Sequence, residues 1–250
     1  MPTKFEAFAA LHVPGDPVVL YNIWDAGSAR AVAAAGAKAL ATGSHPVGDA
    51  SGFGDGQKVP LEFVFDNSKR IMAAVDLPLT VDFEGAYSVD PKAGADNVAR
   101  LAETGAVGCN LEDQVVGGDG LHPTDRQVER LRAARAATGE AFFINARTDL
   151  FLKARREEHD EALVGAALAR ADAYAEAGAS GIFVPGLADL RLFERFCGAS
   201  PLPVNFMAFP GCPEPKQIAS AGAARISHGP FPYKLAMKAL KQAAEAAFGN

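Results

Sequence analysis

Glycine-centred helix ends recur along this chain of 250 residues and strongly constrain what it can fold into. Each follows a stretch with a helical pattern and precedes an apolar run, which is the placement expected of a glycine cap leading from a helix into a strand. The four copies are Ala35-Gly36-Ala37, Thr104-Gly105-Ala106, Ala177-Gly178-Ala179 and Ala221-Gly222-Ala223. A chain punctuated in this way is expected to alternate helices with strands.

The apolar runs between such marks predict eight strands. Asp76-Leu77-Pro78, Thr138-Gly139 and Ser200-Pro201 supply further breaks. The predicted strands lie at residues 18–24, 37–42, 79–83, 107–112, 141–147, 181–184, 203–207 and 224–227, and helical patterns follow most of them, the last at residues 232–248. Two stretches rich in glycine and aspartate, residues 45–60 and 113–123, are predicted to be irregular.

About eight βα units in sequence predict an α/β fold, a (β/α)8 TIM-type barrel that forms a single domain over residues 1–250. The length suits one large core. An open doubly wound sheet is the alternative, but its first turn would carry Gly-x-Gly-x-x-Gly, and no such motif follows the first predicted strand. In a barrel of this kind the chemistry lies at the carboxyl ends of the strands.

Composition argues against several classes of function. A net charge of -6 does not favour a nucleic-acid surface, which would need clustered Lys and Arg. Three widely spaced cysteines predict neither a disulfide framework nor a zinc site. No basic segment followed by an apolar run opens the chain, and no apolar run is long enough for a membrane span. We therefore expect a soluble cytoplasmic protein that binds neither nucleic acid nor membrane.

Charged and amide side chains share one face at the ends of three predicted strands. Because successive strand residues point to opposite sides, the pairs that share a side are Asp82 with Glu84, Asn110 with Glu112, and Asn145 with Arg147. The residues between them are apolar and suit a layer under helices, so the polar face is predicted to point into the barrel. Two like charges ~4 Å apart repel by ~4 kcal/mol at an effective dielectric near ~20. A bound cation would relieve that repulsion.

Five segments resemble the isocitrate lyase/phosphoenolpyruvate mutase superfamily, in the order in which that family carries them. They are Asn22-Ile23-Trp24-Asp25-Ala26-Gly27-Ser28-Ala29, Phe53-Gly54-Asp55-Gly56, Val81-Asp82-Phe83-Glu84-Gly85-Ala86-Tyr87, Asn110-Leu111-Glu112-Asp113-Gln114 and Asn145-Ala146-Arg147-Thr148-Asp149. The matches run from the first predicted strand to the fifth, and the strand count extends the resemblance over nearly the whole chain.

The resemblance implies a metal site at the barrel mouth. By match, Asp82, Glu84 and Glu112 would surround a Mg²⁺ ion, with Mn²⁺ as a possible substitute, largely through water. Oxygen ligands without His or Cys independently favour a hard cation that keeps several waters. A solvated strand end is the alternative interpretation of Asp82 and Glu84.

The resemblance also implies where a small carboxylate substrate binds. Its contacts would come from Trp24, Gly43, Ser44, Asp82 and Arg147. The catalytic groups would be Arg147, Asp55 and Glu112. Arg147 can make two parallel charged hydrogen bonds to a carboxylate or phosphonate, although it could also serve only in a structural ion pair. Asp55 matches a loop aspartate that takes part in the chemistry of several members, although Gly-Asp-Gly is also an ordinary turn.

The chain departs from the family in the loop after the fourth strand. Isocitrate and methylisocitrate lyases carry a Lys-Lys/Arg-Cys-Gly-His segment there, whereas residues 114–122 contain neither the basic pair nor the cysteine, and the gating lysine of phosphonate mutases and hydrolases is missing as well. Which group moves the proton stays open. The loop's glycines permit a mobile lid.

The expected function is therefore a Mg²⁺-dependent lyase that cleaves a C–C bond in a small 2-oxo or 2-hydroxy (di)carboxylic acid through an enolate. A hydrolase or mutase acting on a P–C bond is one alternative, and a barrel that binds such acids without turnover is another. Members of the family often exchange their last helical region between subunits. We expect a homo-oligomer. Because that last helical region is short here, we do not predict that it is exchanged between subunits.

Overall fold

Eight parallel strands form the centre of the protein in a computed structural model that describes residues 2–249. They are β2 (Asp16–Leu20), β3 (Leu40–Ala41), β4 (Leu79–Asp82), β5 (Gly108–Glu112), β6 (Phe143–Arg147), β7 (Gly181–Phe183), β8 (Val204–Met207) and β9 (Arg225–Ser227), and a short β1 (His12–Val13) pairs antiparallel with β2. Within the sheet the order is β1-β2-β9-β8-β7-β6-β5-β4-β3.

A single bridge closes this sheet into a barrel. Ile23, just beyond β2, pairs in parallel with Thr42, just beyond β3. The Ile23 amide donates to the Ala41 carbonyl at 2.9 Å, and the Gly43 amide donates to the Ile23 carbonyl at 3.2 Å. The predicted (β/α)8 barrel is confirmed.

Helices connect the strands and form the outer layer. Their bounds are α1 Lys4–Ala10, α2 Ala26–Ala34, α3 Ser44–Ser51, α4 Leu61–Ala74, α5 Pro91–Glu103, α6 Thr124–Thr138, α7 Leu150–Lys153, α8 Glu161–Glu176, α9 Leu190–Ala199, α10 Pro215–Ser220 and α11 Phe231–Phe248, with a 3-10 turn at Arg156–Glu158. In α8 the buried residues Val164, Ala167, Ala171 and Tyr174 recur every three or four positions, which is one face of a helix. No helix among these residues is both long and apolar enough to cross a membrane.

Three details of the predicted elements were wrong. The first strand was expected to continue to residue 24 but ends at Leu20, and beyond it the Asn22 side chain accepts hydrogen bonds from the His228 and Gly229 amides. The second strand was expected over residues 37–42 but covers only Leu40–Ala41. Residues 45–60 were expected to be irregular, yet α3 covers the first half of that stretch. Pro46 lies in the first turn of α3, where its missing amide hydrogen is not needed.

A small apolar cluster, separate from the main core of the barrel, lies at the starts of the strands, where α1 and β1 pack. Phe8 and Phe143 are its largest members. His12 stacks on Phe143 with ring centroids 4.2 Å apart, and its Nδ1 donates to the Phe8 carbonyl at 2.9 Å. Burial, assisted by the nearby charge of Arg225, lowers the pKa of His12 to about 3. His12 is therefore neutral in the folded protein.

Helix α11 leaves much of its apolar surface uncovered. It buries only Pro232 among its described residues, while Leu240 is 63% exposed. On the barrel, Val19 of β2 is 48% exposed, beside a cavity of about 470 Å³ that the start of α11 also lines. The uncovered faces of α11 and β2 are thus adjacent in the fold, and exposed apolar surfaces of this kind are typical of interaction sites.

We propose that a second copy of the chain covers these faces, giving a homo-oligomer. Leu240→Glu should shift the protein toward the monomer, because it places a charge on the uncovered face of α11. Light scattering coupled to size-exclusion chromatography measures this. Lys241→Glu, a charge change on the next residue, is the matched control, and a monomeric wild-type protein at micromolar concentration would contradict the proposal.

His12 should make the fold sensitive to acid. Because the folded state binds fewer protons at His12 than the unfolded state between pH about 3 and 6.5, stability falls as the pH drops through that window, by up to about 1.4 kcal/mol per pH unit. In urea unfolding at pH 4 to 7, His12→Phe should therefore show a smaller loss of stability on acidification than the wild type. Equal losses would rule out this role for His12.

Candidate active site

Three neighbouring strands deliver charged side chains to the same end of the barrel. Asp82 ends β4, Glu112 ends β5 and Arg147 ends β6. The parallel register places Glu112 opposite Arg147, and Asp82 opposite Asn110. The predicted inward polar face is present, because the alternation of parallel strands holds up to these last residues.

Arg147 is the centre of the cluster. Its Nε and Nη2 donate to the two oxygens of Asp149 at 2.6 and 2.9 Å, and its Nη1 lies 3.0 Å from Glu112 Oε2 and 3.9 Å from Asp82 Oδ1. Although burial opposes its charge, Glu112, Asp149 and Asp82 hold the pKa of Arg147 well above its usual value. One guanidinium therefore faces three carboxylates.

Asp82 is linked to the predicted substrate-binding turn. Its Oδ2 accepts from the Ser44 amide at 3.1 Å and from the Ser44 hydroxyl at 2.9 Å, while its Oδ1 accepts from Asn110 Nδ2 at 3.1 Å. Gly43 immediately precedes α3 as its N-cap residue. The structure thus brings Gly43 and Ser44 next to Asp82, as the sequence predicts.

Glu84 reaches the site in a different way from the one predicted. Strand β4 ends at Asp82, and Glu84 lies in a left-handed turn with φ of 51°. Its carboxylate accepts from the Gln57 amide at 2.9 and 3.1 Å. Burial and the charges of Asp82 and Asp55 raise the pKa of Glu84 to about 7. The turn, rather than strand alternation, places this acid.

Backbone strain is concentrated around Glu84. Among residues 2–249 the non-glycine residues with positive φ are Gln57, Glu84, Ala86 and Tyr87, all in the two loops that the Glu84–Gln57 hydrogen bond joins. Such conformations cost roughly 1–3 kcal/mol each and cluster at functional sites. The surrounding structure must hold these loops in place.

Glu112 is almost fully buried, with an exposed fraction of 3%. Burial raises its pKa above the usual value, and the nearby Asp149, Asp82 and Glu84 add to this effect against the opposing charge of Arg147. We conclude that the acids outnumber the positive charge available to them at this end of the barrel.

The donor set fits a hard divalent cation bound through water. All three predicted ligands, Asp82, Glu84 and Glu112, offer carboxylate oxygens near one another, and the raised pKa values of Glu84 and Glu112 show that a positive charge is in short supply there. Each already accepts a hydrogen bond or ion pair from the protein. In the part of the chain that the structure describes, no three His, Cys, Asp or Glu side chains form a ready set of direct ligands. Mg²⁺, which keeps several waters, suits this arrangement.

Asp55 and Trp24 lie at the margin of the cluster. Asp55 is close enough to raise the pKa of Glu84, and its Oδ2 lies 3.7 Å from His45 Nδ1. Trp24 packs edge-on against Tyr233 at 5.1 Å, and its carbonyl accepts from Asn67 Nδ2 at 2.9 Å. The contacts of Trp24 are therefore with the outer helices, and its predicted contact with substrate stays a prediction.

Asp149 and Asp113 are parts of the site for which no definite role was predicted from the sequence. The Asp113 Oδ1 accepts from the Asp149 amide at 3.0 Å, and its Oδ2 accepts from Arg170 at 3.0 Å and from the Tyr174 hydroxyl at 2.8 Å. Asp113 therefore supports the turn that aims Asp149 at Arg147. The sequence feature that could have revealed the role of Asp149 is its position two residues after Arg147, within reach of that guanidinium.

The loop after β5 forms a small hairpin beside the site. Gln114 and Leu121 form an antiparallel bridge, and the Val115 amide donates to the Gly120 carbonyl at 3.1 Å. The His122 amide donates to the Asp113 carbonyl at 2.7 Å. This loop is thus attached to the turn that supports Arg147, and its movement as a lid stays a prediction.

Comparison with known proteins identifies relatives of the chain. Residues 8–248 match the family model described as phosphoenolpyruvate phosphomutase. A solved structure from Burkholderia cenocepacia J2315, provisionally named a phosphonomutase, is 48% identical, covers 99% of this chain and 98% of its own, and has a TM-score of 0.94.

Two further relatives are more distant. The 2-methylisocitrate lyase of Salmonella typhimurium is 28% identical over 208 residues, which are 80% of this chain and 68% of that protein. Phosphonopyruvate hydrolase, solved with oxalate and Mg²⁺, is 19% identical, covers 100% of this chain and 89% of its own, and has a TM-score of 0.86, which shows a shared fold alone. The matches confirm the predicted family resemblance and the expectation of an enzyme.

The raised pKa of Glu84 should appear in the stability of the metal-free protein. Because the folded state holds a proton on Glu84 that the unfolded state has lost, stability falls as the pH rises from 4.5 to about 7, by up to about 1.4 kcal/mol per pH unit. In urea unfolding with a chelator, Glu84→Gln should reduce this fall. Glu157→Gln, at an exposed acid, is the control, and no difference between the two variants would contradict the assignment.

Proposed function

The chain belongs to the phosphoenolpyruvate phosphomutase family, and we propose that it is a Mg²⁺-dependent lyase that cleaves a C–C bond in a small 2-oxo or 2-hydroxy (di)carboxylic acid. The observation that carries the proposal is the position of Arg147, a buried guanidinium at the barrel mouth, within 3.9 Å of acids from its own segment and from two adjacent strands. A site in which carboxylates outnumber the guanidinium that contacts them suits an anionic substrate only when a further cation is present.

Cleavage of a C–C bond next to a carbonyl leaves negative charge on an enolate oxygen. When bound among Asp82, Glu84 and Glu112, a divalent ion supplies Lewis-acid stabilisation of that charge. Arg147 adds a fixed positive charge at the same end of the barrel. Because its Nε and Nη2 are held by Asp149, this guanidinium is oriented before the substrate binds, which avoids reorganisation during the reaction.

Other residues of the chain would bind and position the substrate. The Ser44 hydroxyl and amide donate to Asp82, so this turn is fixed relative to the acids. We assign Gly43 and Ser44 to the substrate's carboxylate and carbonyl oxygens. Asp55, half exposed on its loop, is the group placed to exchange protons with solvent near Glu84.

A P–C bond hydrolase or phosphonomutase is the second candidate. The observation that favours it is the 48% identity to the Burkholderia protein provisionally named a phosphonomutase. The relative from Salmonella typhimurium is instead named a 2-methylisocitrate lyase, which favours the lyase. The third candidate is a barrel that binds such acids without turnover, which the missing basic and cysteine residues of the lid favour.

Calorimetry with Mg²⁺ and oxalate tests the shared site. We expect oxalate to bind only in the presence of Mg²⁺, and Asp82→Ala to abolish binding because it removes a carboxylate from the metal site. Turnover is then assayed with Mg²⁺ and oxaloacetate, methylisocitrate-like acids or phosphonopyruvate. Release of pyruvate from oxaloacetate or a methylisocitrate-like acid supports the lyase, provided that the Arg147→Lys variant no longer releases it.

The matched control is Arg155→Lys, at an exposed arginine paired with neighbouring acids. It should leave binding and turnover unchanged. Release of phosphate from phosphonopyruvate would select the P–C reaction, and binding without turnover across the panel would select the binder. Failure of the wild type to bind oxalate with Mg²⁺ would reject all three forms of the proposal.

A further inference from the structure

Arg225 lies across the inside of the barrel. It begins β9, in register with Val18 of β2 and Asn205 of β8, and only 2% of its surface is exposed. Its Nη2 lies 3.4 Å from the Oδ1 of Asn110 on β5, to which it donates. Three strands separate β9 from β5 in either direction around the closed sheet, so the side chain spans the barrel from one wall to the opposite one.

The surroundings of this guanidinium are unusual. Among residues 2–249, none of the carboxylates forms an ion pair with Arg225, and its Nε and Nη1 have no hydrogen-bond partner. A buried charge is costly unless it is paired or coordinated. Packing alone would be served better by an apolar side chain of similar volume.

The residue below Arg225 does not neutralise it. His12, buried at the starts of the strands, donates through Nδ1 to the Phe8 carbonyl and is neutral. The proximity of Arg225 helps to keep it so. Burial lowers the pKa of Arg225 itself to about 10, with the charge of Asp82 acting in the opposite direction. Arg225 is therefore positively charged at neutral pH, and the anionic group that acts on it is in the site above.

A chain of amides connects Arg225 to that site. Asn110 Oδ1 accepts from Arg225 Nη2 and, at 2.9 Å, from Asn145 Nδ2, so Asn110 Nδ2 is left to donate to Asp82 Oδ1 at 3.1 Å. Arginine can only donate and an ionised carboxylate can only accept. The side-chain amide of Asn110 therefore has only one orientation that satisfies both neighbours, with its NH2 group toward Asp82.

We propose that Arg225 is a positioning residue of the active site, which supplies from beneath the fixed positive charge that makes the barrel mouth favour a dianionic ligand. Arg147 contacts Asp82, Glu112 and Asp149 directly, and Arg225 reaches Asp82 from below through Asn110. Without Arg225 the site would lose one fixed positive charge and would hold a dianion less tightly. This inference rests on the proposed function for the identity of the ligand.

Ligand selectivity tests the proposal. Calorimetry measures Mg²⁺ alone, and then oxalate at saturating Mg²⁺, for the wild type, Arg225→Met and Arg225→Lys. We expect Arg225→Met to weaken oxalate binding by at least about tenfold, the effect of a unit charge ~10 Å away at an effective dielectric near ~20. Binding of Mg²⁺ alone should not weaken, because the lost charge repels it. Arg225→Lys should restore oxalate binding to within about threefold of the wild type.

Arg135→Met is the matched control. Arg135 is a half-buried arginine of α6 that donates to the carbonyls of Gly178 and Phe142 and to the Ser180 hydroxyl. Its loss should lower the melting temperature without changing either affinity. Equal weakening of Mg²⁺ and oxalate in Arg225→Met, unchanged oxalate binding, or a lysine variant that behaves like the methionine variant would each overturn the proposal.

A second measurement needs no ligand. If Arg225 offsets the charge of the acids, Arg225→Met should be less destabilising in an Asp82→Asn background than in the wild type, as measured by urea unfolding. If Arg225→Met does not fold, the double variant should recover folding. Additive effects, or no recovery, would overturn the inference. Failure of the wild type to bind Mg²⁺ and oxalate would reject the proposed function instead, and the unfolding cycle would still decide the role of Arg225.

Discussion

Negative charge held inside a closed barrel is the constraint on which the site depends. Asp82, Glu112 and Asp149 are brought within reach of one guanidinium, that of Arg147, in a space where water cannot screen them. Burial, together with repulsion from neighbouring acids, raises the pKa of Glu84 and Glu112. A bound divalent cation would relieve that repulsion. Strand register, the amide chain and the supporting ion pair of Asp113 with Arg170 can all be understood as means of keeping these acids together.

The outer helices take part in this arrangement. Tyr174 and Arg170 lie on α8, yet both donate to Asp113, whose other oxygen holds the Asp149 amide. Arg130 of α6 donates to the backbone carbonyl of Glu112 and to that of Gly85, the residue after Glu84. A buried polar network of this kind holds its members in one geometry only when each is satisfied. The orientation of Arg147 therefore depends on side chains from two helices as well as on its own strand.

The sequence predicted those features that follow from regular periodicity. The eight strands were predicted correctly, and the structure places Asp82, Asn110, Glu112, Asn145 and Arg147 together at one end of the barrel. The roles of these side chains stay predictions. Features set by tertiary contact were not. Strand alternation stops at Asp82, so the placement of Glu84 required knowledge of a left-handed turn and of the Gln57 amide. The helical state of residues 44–51 depends on packing that a Gly- and Asp-rich composition does not reveal. The significance of Arg225 appears only once the sheet closes and β9 lies opposite β5.

Helix α3 and the loop that carries Asp55 touch at a point where no side chain fits. A Cβ atom on Gly48 would lie 2.2 Å from the Gly54 carbonyl oxygen, so the two backbones pack directly against each other. The same helix begins at Ser44, which is bonded to Asp82. Ser44 and the segment before Asp55 are thus coupled through helix α3, which is eight residues long, so a displacement of Ser44 would be transmitted to the Gly48–Gly54 contact. The length and sequence of this loop are consequently limited by the Gly48–Gly54 backbone contact, which takes no direct part in the reaction.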